Sequence, residues 1–356
     1  MSQNWQRHFE IQLLDDNGKG ISLSDFKVTF DIEWFNIKFS RVATVKIYNL
    51  SQNTNSRILG AEFSKIKIIA GYDGIGSAVD ANQVGKPITV DSSQVGQTNG
   101  QNFGEIYNGE IRFSLTGRDN PTDTFIIIQA IDGHRALMGA VMNTTLAKGY
   151  TVKDLYDLTM SHFAPFGVTA GQTPEFPTTV YPRGRSMYAM AHDVMDNVAH
   201  QCKATWQIVD GQVQMVANDK FIHEAIVLNS QTGLIGMPQQ TMGGGVNVRC
   251  LINPNIRVHG LIELDQTSVY RASLSSNDIQ MSGGRITEIN DNGNLVVTGV
   301  ASIPPASIAT DGVYIVQSIS YTGDTRGQAW YMDMMCVARG SADLQTSSAL
   351  NRGIAT

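Results

Sequence analysis

The stretch CLINPNIRVHGLIELD, residues 250–265, reads as two apolar runs separated by a corner. The first run ends at Asn253-Pro254, where proline cannot donate a hydrogen bond to a sheet ladder. Gly260 then permits the chain to return into the second run. The pattern predicts a strand, a corner and another strand. His259 lies in the corner, and because no motif elsewhere supplies it with a partner, we expect it on the surface.

Similar strand patterns occur on both sides of this corner. In KVTFDIEW, residues 27–34, apolar and polar side chains alternate with a period of two, which is typical of a strand with one buried face. Asn17-Gly18 separates two earlier strand-like runs and predicts a hairpin. We therefore expect β structure in residues 1–135 and again in residues 225–340.

The sequence between these β regions has helical patterns. Thr151 is positioned as the N-cap of one amphipathic helix, and Ser186 as the N-cap of a second helix that extends to Cys202. Asp210-Gly211 then predicts a tight hairpin turn. The expected buried side of the second helix comprises Met187, Met190, Ala191, Val194 and Val198.

These patterns predict a mainly β protein with an α+β insertion. The expected domains are a first tube-like β-barrel at 1–135, an α+β insertion domain at 136–224 and a second tube-like β-barrel at 225–340, followed by a polar tail at 341–356. Residues 76–104 are rich in Gly, Gln, Asn and Ser and predict a long loop between two strands. Loops of this length are usually functional or become ordered by a partner.

Composition excludes several classes of protein. The net charge of −6 argues against a DNA-binding protein that needs a basic stripe, and the low charged fraction of 16% suits a surface covered by other subunits. Three well-separated cysteines predict neither a disulfide framework nor a zinc knuckle. The apolar runs are too short to cross a bilayer, so we expect no membrane anchor.

Catalytic motifs are absent from the sequence. It contains no HExxH, no GxSxG and no phosphate-binding loop with its lysine. Glu105 and Glu110 flank IYNG, but carboxylates in strands usually lie on a solvated face. We therefore expect a protein without enzymatic activity, metal or cofactor.

Three patterns in order resemble the baseplate hub proteins of tailed bacteriophages, of the contractile-tail type. They are VKIYNLS followed by IKIIAGYDG, then EIYNGEIRF followed by FIIIQAIDGHRAL, and finally GLIGMPQQTMGGGVNVRCLINPNIRVHGLIELD. The resemblance extends from about Phe26 to Arg339. Over this range the chain is also similar to the hub portion of injection-machine spike proteins. In that family, the strand ending in YNL pairs with the strand ending in AGY.

The resemblance implies a homotrimer. Each subunit would carry two tube-like barrels, so that three subunits form a pseudo-sixfold ring between a hexameric tail tube above and a trimeric spike below. Because no β-helix repeats follow Gly340, we expect the spike to be a separate polypeptide. DNA would pass through the ring as cargo. The protein would be assembled in the host cytoplasm and lie in the virion baseplate with other baseplate proteins.

The same resemblance assigns scaffold roles to residues at strand ends and corners. They are Tyr48, Asn49, Gly71, Tyr72, Gly74, Tyr107, Gly109, Ile111, Pro238, Asn253, Pro254 and Gly260. Two alternatives remain open from sequence. One is another tube-fold component of a tail tip or secretion machine, such as a distal tail protein. The other is a tail-tip cell-wall hydrolase.

Overall fold

The computed structural model describes residues 6–37, 40–73, 102–218, 220, 225–230, 232–240, 245–264, 284–289, 295–301 and 312–338, with the backbone alone at 284–289 and 295–301. Gly74, the polar tail at 341–356 and most of the predicted loop at 76–104 lie outside these residues. The last three residues of that loop belong to a strand, which begins at Asn102.

The first β region contains seven strands and one helix. They are β1 (Arg7–Leu14), β2 (Gly20–Leu23), β3 (Val28–Phe35), β4 (Val42–Tyr48), α1 (Gln52–Leu59), β5 (Lys65–Tyr72), β6 (Asn102–Arg118) and β7 (Thr124–Ile131). The alternation in β3 is confirmed, because the four apolar side chains of the predicted face, at Val28, Phe30, Ile32 and Trp34, are buried. The hairpin at Asn17-Gly18 joins β1 to β2 as predicted. Helix α1 was not predicted; its N-cap is Ser51, whose side chain accepts from the amide of Thr54.

The insertion contains three helices and five strands. They are α2 (His134–Gly139), β8 (Val141–Leu146), α3 (Val152–Phe163), β9 (Thr169–Ala170), β10 (Arg185–Met190), α4 (Ala191–Gln201), β11 (Ala204–Val209) and β12 (Gln212–Ala217). A short 3₁₀ turn, Ala164–Phe166, follows α3.

The structure confirms the first predicted helix and corrects the start of the second. Thr151 caps α3 in a capping box with Asp154. Ser186 is not an N-cap, because it lies within β10, opposite Thr145 of β8, and α4 begins only at Ala191. Backbone pairing with β8 thus overrides the local helical pattern of residues 186–190. The predicted hairpin turn at Asp210-Gly211 joins β11 to β12.

The second β region contributes eight strands. They are β13 (Ala225–Leu228), β14 (Gln239–Gln240), β15 (Gly245–Leu251), β16 (Leu261–Leu264), β17 (Gly284–Ile289), β18 (Leu295–Ala301), β19 (Val313–Asp324) and β20 (Trp330–Ala338). The opening stretch of the sequence is the connection between β15 and β16. The predicted strand, corner and strand are therefore present, with the corner at residues 252–260.

The two β regions share one 13-stranded sheet, whose main path is β14-β15-β20-β19-β3-β4-β7-β6-β5-β1-β2. The regions join where β3 pairs antiparallel with β19, from Phe35 opposite Ser318 to Thr29 opposite Asp324. The strand pairing that the resemblance implied is wrong. The YNL strand β4 pairs with β3 and β7, whereas the AGY strand β5 pairs with β1 and β6.

The sheet rolls so that distant strands meet through side chains. Phe9 of β1 and Phe30 of β3 have four strands between them in the sheet, yet their ring centroids lie 5.2 Å apart. Trp330 of β20 packs edge-on against both rings. Among the described residues, the strand path does not close through backbone pairing, so the two-barrel description and its domain boundaries stay a prediction.

Burial follows this architecture. One large apolar cluster fills the inside of the rolled sheet, and a second lies within the insertion around α3, α4 and β11. The expectation of a mainly β fold is thereby confirmed, whereas the division of the chain into domains stays a prediction. No helix among the described residues is long and apolar enough to cross a membrane.

Candidate functional site

The sheet has one broad face that no described segment covers, which we call the open face. A single row of paired residues crosses seven strands on it: Phe113, Gln129, Thr44, Asp31, Thr322, Tyr331 and Leu251. Their sequence neighbours on the other face, such as Ile128, Ala43 and Ile32, are buried. Because β3 pairs with β19, this face runs unbroken from one β region to the other.

Polar and acidic side chains occupy the middle of the open face. Glu33 and Asp31 of β3 are exposed, and Asp31 accepts a hydrogen bond of 3.1 Å from Thr322. Asp333 of β20 forms a two-bond ion pair with Arg249 of β15 at 2.6 and 2.9 Å. The centre of this surface therefore carries more negative than positive charge.

Behind the open face, a cluster of charges centred on the buried Arg41 and Asp132 joins the three parts of the chain. Arg41 directly precedes β4, and Asp132 directly follows β7. Asp210 comes from the β11–β12 turn of the insertion, and Arg257 from the corner between β15 and β16. We call these four residues the junction cluster.

The geometry of the junction cluster satisfies each charge. Arg41 donates to Oδ2 of Asp132 at 2.6 and 3.2 Å and to Oδ1 of Asp210 at 2.5 Å. Arg257 donates to Oδ2 of Asp210 at 2.9 Å. The backbone amide of Asp210 donates to Oδ2 of Asp132 at 2.8 Å, which fastens the insertion's turn to the end of β7.

Burial and neighbouring charge shift the pKa values of this cluster. Burial raises the pKa of Asp132 to about 6, although Arg41 acts against that shift. Burial would also raise the pKa of Asp210, but Arg41 and Arg257 outweigh it and lower that pKa. Burial would lower the pKa of Arg41, but Asp210 and Asp132 hold it well above its ordinary value. Arg41 therefore stays charged, and the arrangement is suited to holding elements together.

Glycines allow this close packing. Tyr107 places its ring centroid 5.3 Å from the Arg41 guanidinium, and a Cβ at Gly109 would lie 2.4 Å from the Tyr107 hydroxyl. Gly133 has a φ of +61°, and a Cβ there would lie 2.7 Å from the side chain of Ile208 in β11. The predicted scaffold residues Tyr107 and Gly109 thus border the junction cluster.

His259 is half-buried, so the expectation of a surface histidine is only partly met. Its ring packs in the corner against the insertion, where Nε2 is 3.2 Å from the hydroxyl of Thr205. Burial lowers the pKa of His259 to about 4. The sequence could not show this, because Thr205 is 54 residues away.

Tyr48 and Asn49 lie where β4 ends. Asn49 has a φ of +54°, and its side chain accepts from the amide of Thr124 at 3.0 Å and donates to Asp123 at 3.1 Å. Tyr48 packs against Phe125 with ring centroids 6.4 Å apart. Both residues therefore bind β4 to the start of β7.

Gly71, Tyr72 and Ile111 lie along β5 and β6. Gly71 has a φ of +149°, and a Cβ there would lie 2.2 Å from the carbonyl oxygen of Asn102. Tyr72 is buried. The amide of Ile111 donates to Ser64 at 2.8 Å, near the point where β6 changes its partner from β5 to β7.

The other predicted residues lie in the second β region. Pro238 is buried directly before β14. The side chain of Asn253 accepts from the amide of Asn255 at 3.1 Å, which shapes the corner that Pro254 begins. The amide of Gly260 donates to Arg257 at 2.9 Å, so it helps to position a member of the junction cluster. The structure thus disperses the predicted residues over several strand ends.

The sequence interpretation missed Arg41, Asp210 and Arg257 as a group. A signal for Arg41 existed, because it shares the inward parity of Ala43, Val45 and Ile47 at the start of an alternating strand. A charged side chain at an inward position requires a buried partner. Which partner it meets depends on the fold.

The candidate carboxylate pair has structural partners. Glu105 forms an ion pair of 3.2 Å with Lys67, and Glu110 accepts from the backbone amide of Arg135 at 2.6 Å. Glu110 is buried, whereas Glu105 is half-buried. These contacts support strand pairing and the start of α2.

Sequence comparison identifies no relative for the chain. No protein-family model matches it. No curated protein matches it either.

Solved structures do share its fold. The 43 kDa tail protein of prophage MuSo2 from Shewanella oneidensis is similar with a TM-score of 0.52 at 7% identity, over 95% of this chain and 98% of that one. A tail protein from Neisseria meningitidis MC58 is similar with a TM-score of 0.50 at 7% identity, over 93% and 96%. A chain of the Francisella PdpA-VgrG complex is similar with a TM-score of 0.50 at 6% identity, over 94% of this chain and 58% of that one. The molecule therefore has the fold of these tail proteins.

Proposed function

We propose that this chain, with its tail-protein fold, is a structural hub of a phage baseplate and has no enzymatic activity. Three copies would form a pseudo-sixfold ring, with the two β regions of each copy serving as two tube-like barrels. The ring would join a hexameric tail tube to a separate trimeric spike and surround the channel through which DNA leaves the virion.

The observation that carries this proposal is the pairing of β3 with β19. This pairing turns two β regions into one sheet with an unbroken open face. Such a face is suited to lining a channel, because polar side chains keep it wetted and its acidic centre repels DNA phosphates. The junction cluster would keep the insertion fixed against this sheet while the ring bears load.

The experiment is a mass measurement of the purified chain by light scattering, followed by electron microscopy of the assembled particle. A hub gives three chain masses and a ring with a central opening that also occurs in purified tails. A stable monomer that never joins tail particles would rule the proposal out. Six copies in the ring would instead favour a distal tail protein or a related tube-fold component.

The same preparation tests the hydrolase alternative by zymography on peptidoglycan. We expect no clearing. Clearing that disappears in Glu105→Gln or Glu110→Gln variants would replace the hub proposal with an enzymatic one.

A further inference from the structure

The open face has exposed apolar side chains near its two lateral ends, and between them Phe35 of β3 is also exposed. At one end, Ile235, Met237 and Met335 line a groove of about 670 Å³ with Arg249 and Asp333. Met237 is 59% exposed and Met335 is 43% exposed. We call this surface the edge groove. Exposed apolar side chains that cluster in this way mark a protein contact surface.

At the opposite end, the second half of β6 extends beyond β5, which pairs only with the first half of β6. Residues 111–118 of β6 pair with β7, whereas β5 pairs only with residues up to Glu110. We call residues 111–118 the β6 arm. Phe113 and Leu115 on the arm are each 43% exposed and share the open face with Gln129 and Ile127. Helix α1 contacts the arm through Ser114, which lies between these two residues and therefore points to the other face.

We propose that the edge groove of one copy receives the β6 arm of a second copy of this chain. The contact rests on the proposed ring and specifies how its subunits meet. It is heterologous, because two different surfaces of the same chain come together, and such a contact generates a ring when the rotation closes.

The chain itself supplies the precedent for this contact. Its two β regions already meet edge to edge at β3 and β19, and the open face continues across that join. The sheet path continues from β6 to β2, but beyond Glu110 β5 no longer pairs with β6, so at this level the open face ends at β14 with β15 on one side and at the β6 arm on the other. A second copy placed against either end extends the same surface and covers both apolar ends at once.

Charge also favours this pairing. The arm carries Arg112 and Arg118, which are exposed and form no ion pair with any residue in the described parts of the chain. On the groove side, Asp333 is already paired with Arg249, but the exposed Glu33 lies in the same row of the sheet, opposite Ser320. Exposed arginines on one partner and a carboxylate on the other steer association and fix its orientation.

The first test mixes two variants whose defects are complementary. Phe113→Ser with Leu115→Ser disables the arm, and Met237→Ser with Met335→Ser disables the edge groove. Each variant alone should dissociate to monomers, whereas an equimolar mixture should form heterodimers only, because one intact arm and one intact groove remain. A control variant with Val180→Ser and Tyr188→Ser, at exposed positions of the insertion, should keep the wild-type mass.

The second test does not require ring disruption. A Leu115→Cys chain mixed with a Met237→Cys chain should form an intermolecular disulfide on mild oxidation, whereas Leu115→Cys mixed with Tyr188→Cys should not. If the wild type forms trimeric rings but the arm and groove cysteines fail to crosslink, the inference is wrong and the hub proposal stands. If neither assembly nor crosslinking occurs, both are wrong.

Discussion

Arg41 and Asp132 are 91 residues apart in sequence, yet Nη2 of Arg41 lies 2.6 Å from Oδ2 of Asp132, and each side chain is only 1% exposed. This ion pair joins the strand that begins after Arg41 to the strand that ends before Asp132. Asp210 of the insertion shares the same guanidinium. Removing one partner of a buried pair leaves an uncompensated charge, which costs far more than the pair contributes.

We therefore predict that Arg41→Met destabilises the protein by about 3–5 kcal/mol, because the buried Asp132 loses its counterion and Asp210 keeps only Arg257. Urea unfolding followed by tryptophan fluorescence measures this change, since Trp34 lies 4.9 Å from the Arg41 guanidinium. Arg57→Met is the matched control, because the ion pair of Arg57 with Glu62 lies on the surface. Equal shifts in the two variants would show that the junction cluster is not a special source of stability.

Much of the local structure could be predicted from sequence. The alternation in β3, the turns at Asn17-Gly18 and Asp210-Gly211, and the cap at Thr151 each depend on residues within a few positions of one another. Turn and cap chemistry acts over that range, so sequence patterns detect it.

The partners of the strands could not be predicted in the same way. Residues 186–190 have a helical pattern but form β10, since β8, about 40 residues earlier, offers them a ladder. The junction cluster has the same character: its members become neighbours only after three parts of the chain have assembled. A single sequence shows that the side chain of Arg41 points inward. It does not show that Asp210 of the insertion is its partner.

His259 should make stability depend on pH. Its pKa is about 4 in the folded protein against 6.5 for an unperturbed histidine, so below pH 6.5 the unfolded chain binds a proton that the folded chain does not. The stability contributed by the neutral ring is present above pH 6.5 and is lost as the pH falls toward 4. We expect a loss on the order of 2 kcal/mol.

His259→Asn should make the free energy of unfolding depend less on pH over this range, because asparagine tolerates the φ of +64° and cannot titrate. The measurement is the free energy of unfolding in urea at several pH values between 7 and 4.5. His200→Asn, at an exposed position of α4, should retain the wild-type slope. If the free energy of unfolding of His259→Asn changed with pH as much as that of the wild type, His259 would not be the source of the pH dependence.

Gly71 should be far less replaceable than Gly18. Both have positive φ values, but a Cβ at Gly71 would lie 2.2 Å from the Asn102 carbonyl, whereas a Cβ at Gly18 meets nothing within 4 Å. We predict a loss of about 3 kcal/mol or more for Gly71→Ala, through strain and displacement of β6. Gly18→Ala should cost about 1 kcal/mol from backbone conformation alone. Similar thermal midpoints for the two variants would show that β6 moves away easily.

Arg7 should control the local stability of the β19–β20 turn. Its guanidinium donates to the carbonyls of Asp324, Gly327 and Gln328 at 3.1, 2.6 and 3.1 Å. It also lies 5.4 Å from the ring centroid of Trp330. Through these contacts β1 holds the turn in place and completes the roll of the sheet that Phe9 and Phe30 begin.

In Arg7→Gln, we expect amide exchange in residues 324–330 to accelerate by roughly tenfold to a hundredfold, because hydrogen bonds from a charged donor contribute about 1.5–3 kcal/mol. Exchange in β3 and β4 should change much less, since the core beneath them is intact. Arg326→Gln is the control within the same turn, where one side-chain bond to the carbonyl of Asp25 is lost. Because three carbonyl contacts outnumber one, amide exchange in this turn must be faster in the Arg7 variant than in the Arg326 variant. The reverse order would disprove the stabilising role of Arg7.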